Sequence, residues 1–152
     1  MHPAILIFAF VLGFVVADNE CKKDGQEIKR NNFVYVCVES KVVPGLHLMK
    51  FKGCMLKDVN LKDALIPSGE KGYANGSKVT KFGFRMTCGE DDKGVYTKAD
   101  GCYVRKEDNV PVTDVEIDSK EELEDVTGTM TVECKKVGEE VRINFQYPVG
   151  GK

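Results

Sequence analysis

Three segments alternate apolar and polar residues up to a cysteine: Phe33-Val34-Tyr35-Val36-Cys37, Phe84-Arg85-Met86-Thr87-Cys88 and Met130-Thr131-Val132-Glu133-Cys134. In each, the residues four and two before the cysteine are large and apolar, and a period of two puts them on the cysteine's face of a β-strand. A turn signal follows each segment, at Pro44-Gly45, Asp92-Lys93-Gly94 and Val137-Gly138. A second strand-like run comes next, over Leu46 to Phe51, Val95 to Thr97 and Val141 to Tyr147, the last with Val141, Ile143, Phe145 and Tyr147 on one face. The pattern predicts three antiparallel hairpins. No stretch has a convincing helical period, and Lys120 to Asp125 is expected to form one turn of helix at most.

The first two hairpins lead into Gly53-Cys54 and Gly101-Cys102, so each opens a new unit with a cysteine as the previous one closes. Between the opening and closing cysteines, turn residues recur at Asp24-Gly25, Pro67-Ser68-Gly69, Asn75-Gly76 and from Asn109 to Asp114. The chain therefore reads as an all-β protein of tandem small disulfide-stapled antiparallel β modules, at residues 18–53, 54–101 and 102–152. Units this small bury too little apolar surface to stand alone, and a covalent staple is the usual remedy. Repeat symmetry favours Cys21 with Cys37, Cys54 with Cys88 and Cys102 with Cys134. A competing scheme joins hairpin neighbours, Cys37 with Cys54 and Cys88 with Cys102, and leaves Cys21 for Cys134. Loops of either length stabilise by about 3 kcal/mol in the chain-entropy account.

Residues 1–17, MHPAILIFAFVLGFVVA, carry an apolar run that ends in small residues just before DNECKKDG, the pattern of a secretory signal peptide. The run is about 13 residues, short of the roughly 20 that span a bilayer as a helix, so no membrane span is expected. Export would place the six cysteines in an oxidising compartment, where an even number reads as disulfides. Asn75-Gly76-Ser77 is a glycosylation acceptor that suits an exposed turn of a secreted protein.

Charge narrows the function classes. The net charge of −2 disfavours a nucleic-acid partner, which calls for a basic chain. Residues 18–54 hold seven basic and five acidic residues, whereas 103–152 hold seven and twelve. The first part, with Lys22, Lys23, Lys29, Arg30, Lys50 and Lys52, could attract a polyanionic glycan or an acidic matrix protein. Catalysis is not expected: beyond the leader the only histidine is His47, in the strand-like run Leu46-His47-Leu48-Met49-Lys50, and the cysteines lack the spacing of thiolate sites. The acidic segment Asp114 to Asp125 places acids at Asp114, Glu116, Asp118, Glu122 and Asp125 in the manner of a calcium loop. Ser119 stands where that loop needs glycine, and Asp125 where it needs glutamate. It is read instead as a strand with Val115 and Ile117 inward, followed by a solvated acidic loop, with no metal and no cofactor.

The succession of opening cysteine, glycine turn, aromatic-rich strand to cysteine and hairpin to Gly-Cys resembles the nematode abnormal cell migration proteins, built of fibronectin type I-like modules. The matching elements are Cys21-Lys22-Lys23-Asp24-Gly25, Phe33 to Cys37, Gly53-Cys54, Phe84 to Cys88, Gly101-Cys102 and Val132-Glu133-Cys134. Fibronectin type I modules generally carry four cysteines and often a tryptophan; these units carry two, and the chain has no Trp. The resemblance implies a secreted, extracellular-matrix-associated binding protein acting in cell migration or basement-membrane organisation, and it brings no catalytic residues. Its partner would be an extracellular or matrix protein, met through surface patches or strand addition. The alternatives are a secreted cysteine-rich protease inhibitor, using the loops at Pro44-Gly45 or Asp91 to Gly94, and a small-molecule carrier barrel.

Overall fold

The computed structural model describes residues 20–76, 79–126 and 128–148; the leader expected at 1–17 and Ser77 of the acceptor triplet lie outside the described residues. Among the described residues the chain forms strands and no helix. These are β1 (Glu27–Arg30), β2 (Phe33–Glu39), β3 (His47–Lys57), β4 (Asp63–Pro67), β5 (Lys71–Gly76), β6 (Val79–Asp91), β7 (Gly94–Val104), β8 (Thr113–Val115), β9 (Lys120–Asp125), β10 (Gly128–Val137) and β11 (Glu140–Gln146). Among the described residues, contacts gather into two compact units, 20–28 with Val36–Lys50, and Lys29–Tyr35 with 51–148.

The smaller unit is built on the Cys21–Cys37 disulfide, whose Cα atoms lie 5.6 Å apart. Ile28 is buried against it and Met49 packs on the cluster. The backbone of Cys37 is held from both sides: its carbonyl accepts from the Gly25 amide and its amide donates to the Gln26 carbonyl, each at 2.8 Å. The turn expected at Pro44-Gly45 is present, with Gly45 at a φ of 79° and the Leu46 amide donating back to the Val43 carbonyl.

In the larger unit, β4 pairs antiparallel with β3, and β5, β6, β7 and β8 follow in antiparallel register. A second sheet has the order β11-β10-β9. Two apolar clusters result. One surrounds Cys54–Cys88 with Phe51 and Ile66, and Phe33, Tyr35 and Leu56 pack on it. Phe51 meets the rings of Phe33 at 6.1 Å and Tyr35 at 5.8 Å, edge-on or tilted as aromatic quadrupoles prefer. The other cluster lies between the two sheets: Cys102, Val104 and Val115 from the first, Leu123, Met130, Val132 and Cys134 from the second. Its disulfide, Cys102–Cys134, ties β7 to β10 at a Cα separation of 5.8 Å. The alternation Met130, Val132, Cys134 supplies the inward row of β10, with a period of two.

Three expectations are corrected. The second run of the middle hairpin is not confined to Val95 to Thr97 but continues as β7 through Gly101-Cys102, and the run from Leu46 likewise extends as β3 through Gly53-Cys54. Both Gly-Cys pairs therefore sit inside strands. Lys120 to Asp125 is neither a helical turn nor a solvated loop but strand β9, because pairing with β10 from Gly128↔Asp125 to Glu133↔Lys120 buries Leu123 to 1% exposure. Neighbouring strands override the weak strand preference of glutamates. The inward strand predicted through Ile117 ends at Val115: Val115 is buried, while Ile117 is only half-buried in the connection to β9.

The Cys102–Cys134 bond closes a loop with a sequence separation of 32. Replacing both cysteines by alanine is expected to lower unfolding stability by about 3 kcal/mol and to speed amide hydrogen exchange in β9 and β10. An unchanged urea midpoint would show that the two sheets stay packed without the bond.

Candidate functional site

One face of the larger unit is polar, and its register explains how it is assembled. On β6, residues Gly83, Arg85, Thr87 and Gly89 alternate onto that face. They stand opposite Tyr103, Gly101, Lys98 and Tyr96 of β7. On the other side of β6, Tyr73 of β5 faces Arg85 and Lys71 faces Thr87. Large groups lie over glycines: a Cβ on Gly101 would come within 2.9 Å of the Arg85 guanidinium, and one on Gly89 within 2.6 Å of the Tyr96 ring. Only a missing side chain leaves room for those groups to lie flat across the neighbouring strand.

Between Arg85↔Gly101 and Met86↔Ala99 the register slips, and Asp100 is the extra residue on β7. Such a bulge breaks the alternation and re-aims a side chain. Here it turns the Asp100 carboxylate onto Arg85, whose Nε donates to Oδ1 at 2.8 Å. Nη1 donates to Asp114 at 3.1 Å and to Glu116 at 2.6 Å, and Nη2 donates to the second Glu116 oxygen at 3.0 Å and to the Asp100 carbonyl at 3.3 Å. All five guanidinium donors are thus used, with Glu116 gripped bidentately. The side chain is only 6% exposed, so an unpaired charge would be costly there. A second layer completes the network: Thr87 donates to Asp100 Oδ2 at 2.7 Å, Lys71 pairs with the same oxygen at 3.3 Å, and the Tyr73 hydroxyl donates to Asp114 at 2.8 Å.

These contacts shift the titrating groups. The hydrogen bonds from Arg85 hold the Glu116 carboxyl below its ordinary value. Burial alone would raise Asp100, but its bonds to Arg85 and Thr87 outweigh burial and hold it low as well. Burial, then the bond to Asp114, pushes Tyr73 up to about 12, and burial pushes Tyr103 up to about 12. With its donors saturated, Arg85 has none left for an anionic ligand. The cluster locks β6, β7 and the segment after β8 together.

Beside this lock lies a hollow of about 370 Å³, lined by Tyr96, Lys98 and Ala99 of β7, by Ile117, and by Lys136 and Val141 of the second sheet. It exists because β8 covers only Cys102, Tyr103 and Val104 of β7. After Val115 the chain leaves that edge, and Asp118 and Ser119 bond to the backbone of Cys134 on β10 instead. Of the cations lining the hollow, Lys98 reaches Glu139 only at 3.7 Å, and Lys136 makes no ion pair among the described residues.

The six cysteines are all paired, as Cys21–Cys37, Cys54–Cys88 and Cys102–Cys134. Asn75 is exposed on β5, and its side-chain oxygen accepts from the Tyr103 hydroxyl at 3.1 Å. Of the acidic segment, Asp114 and Glu116 turn to Arg85, whereas Glu121, Glu122 and Glu124 belong to β9. No group of three or more His, Cys, Asp or Glu side chains is placed to hold a metal ion among the described residues. Sequence reasoning missed Arg85, Asp100 and Lys136. The signal for the first was available, a lone cation at the centre of Phe84-Arg85-Met86, but its partners depend on a register no local pattern reveals. Comparison with known protein families, curated proteins and solved structures finds no match.

Arg85→Met is expected to destabilise the chain by about 2 kcal/mol, the exposure of Asp114 and Glu116 discounting the larger cost of a fully buried pair. Because Asp100 and Glu116 titrate lower when folded, their contribution is complete above pH of about 4 and is lost as pH falls through the folded values. Urea midpoints measured from pH 6 downward should therefore drop less steeply in the Arg85→Met variant; parallel curves would remove the lock. At the other end, Tyr73 and Tyr103 are neutral when folded until pH nears 12, so their contribution is present below about pH 10 and disappears as pH rises toward 12. Ultraviolet titration of Tyr73→Phe and Tyr103→Phe should each lose a late phenolate step.

Proposed function

We propose that this chain is a secreted, extracellular-matrix-associated binding protein, acting in cell migration or basement-membrane organisation through its outer surface. The observation that carries the reading is the set of three disulfides, one at the centre of each apolar cluster. Small domains that depend on cystines belong to oxidising compartments. The leader pattern at residues 1–17 and the acceptor at Asn75 point the same way. No helix among the described residues is long and apolar enough to cross a membrane.

A rigid sheet face and a partly uncovered strand edge suit recognition of an extracellular or matrix protein. The basic excess of residues 18–54 adds attraction for a polyanionic glycan. Fibronectin type I-like modules remain the architecture this reading favours, on the strength of the repeated cysteine pattern.

Expression of the full chain in animal cells is expected to deliver it to the medium without free thiols and with an Asn75-linked glycan that Asn75→Gln abolishes. The purified protein should then be retained on basement-membrane extract, and progressively less so as salt rises. Retention inside the cell as a reduced protein, or passage through the extract at low salt, would sink the proposal.

A further inference from the structure

The most informative edge of the molecule is that of β7. Its residues 94–101 pair with β6 from Asp91↔Gly94 to Arg85↔Gly101, and β8 covers the opposite edge only from Cys102 onward. Along residues 94–101 no strand pairs with that outer edge and no backbone–backbone hydrogen bond reaches it among the described residues, although the Asp100 carbonyl accepts from Arg85. An uncovered strand presents alternate N–H and C=O groups that a further extended chain can satisfy. The hollow of about 370 Å³ lies along this stretch.

The lining gives the hollow a chemistry. Lys136 continues the inward row Met130, Val132, Cys134 of β10 past the end of the apolar cluster, so it stands at the mouth of the gap between the sheets. Lys98 approaches from β7 and is held only by the 3.7 Å contact to Glu139 on an exposed turn. Of the carboxylates nearby, Asp100 is already bound by Arg85, Thr87 and Lys71, and Glu139 stands at the exposed rim. Two cations therefore face an opening whose remaining walls are Thr87, Tyr96, Ala99, Ile117 and Val141, besides the bound Asp100. A bound acidic side chain would neutralise them, while small apolar neighbours would cover the walls.

We infer that the outer edge of β7 receives an extended segment of a partner protein, which adds as a strand and places an acidic side chain between Lys98 and Lys136 with apolar residues beside it. This deepens the binding role proposed above and rests on it. Lysine on an exposed edge also discourages self-pairing, which would keep the edge open for a partner of the opposite charge.

The test uses the purified, disulfide-intact full chain and a short synthetic peptide alternating valine and glutamate, with both ends blocked. Hydrogen exchange read amide by amide should slow about tenfold or more at alternate positions within residues 94–101. The same peptide with lysine in place of glutamate should give no protection, and in Lys98→Glu/Lys136→Glu the preference should reverse. Unchanged exchange at residues 130–134 shows that this variant is folded; if it does not fold, the two peptides on the unaltered protein still decide. The inference is overturned if no amide in 94–101 slows, if both peptides protect equally, or if N-acetylglutamate alone reproduces the effect, which would mark a pocket for a small anion. Protection by a protein that fails to bind matrix would count against the matrix role alone, and matrix binding without protection against this edge alone.

Discussion

Cystine placement is the constraint on which the rest of this structure depends. Each of the three apolar clusters contains one disulfide, and five of the six cysteines are fully buried. The clusters are small because the chain is mostly two-sided sheet, and a sheet with one wet face can bury only every second residue. Apolar burial of that extent does not by itself offset the entropy of ordering the strands. A covalent link that shrinks the unfolded ensemble makes up the difference, and it acts where the link joins segments distant in sequence. Cys102–Cys134 is the clearest instance, since it unites strands of two different sheets.

Arg85 is the polar counterpart of those links, on the opposite face of the same strands. Buried ion pairs contribute little net stability when their desolvation is counted. What this one contributes is geometry: a planar fork with five donors accepts only one arrangement of Asp100, Asp114 and Glu116. The bulge at Asp100 and the glycine at 101 serve that arrangement, one by turning a carboxylate, the other by leaving space for the guanidinium. Together they fix where β8 stops and where the chain departs for β10.

Much of this was legible in the sequence, and the illegible part has a common cause. Alternation up to Cys37, Cys88 and Cys134, and the turns after them, marked the hairpins because those signals are local. The glycines before Cys54 and Cys102 were visible as a repeated motif, but their reasons lie across the sheet: Gly53 meets the backbone of Ile66, and Gly101 the side chain of Arg85. Strand β9 looked like a solvated acidic stretch because Leu123 is the one fully buried side chain among its described ones, and only pairing with β10 makes it a strand. The polar cluster joins residues up to 41 positions apart, whose meeting follows from register alone.

The same geometry explains why the free edge lies where it does. A sheet edge is ordinarily a hazard, which proteins suppress by closing, covering or charging it. Here the second sheet could have continued the cover, but the lock at Arg85 pulls Glu116 back toward β6, and the backbone bonds of Asp118 and Ser119 then carry the chain onto β10. The stretch between Gly94 and Gly101 is left bordered by two lysines and a short apolar wall rather than by a strand. Its rigidity comes from neighbours already fixed: Tyr96 packs over Gly89, and the backbone of Asp100 is held by Arg85. A preformed edge loses little conformational entropy on accepting a partner, so the lock that shapes the polar face also lowers the cost of binding beside it.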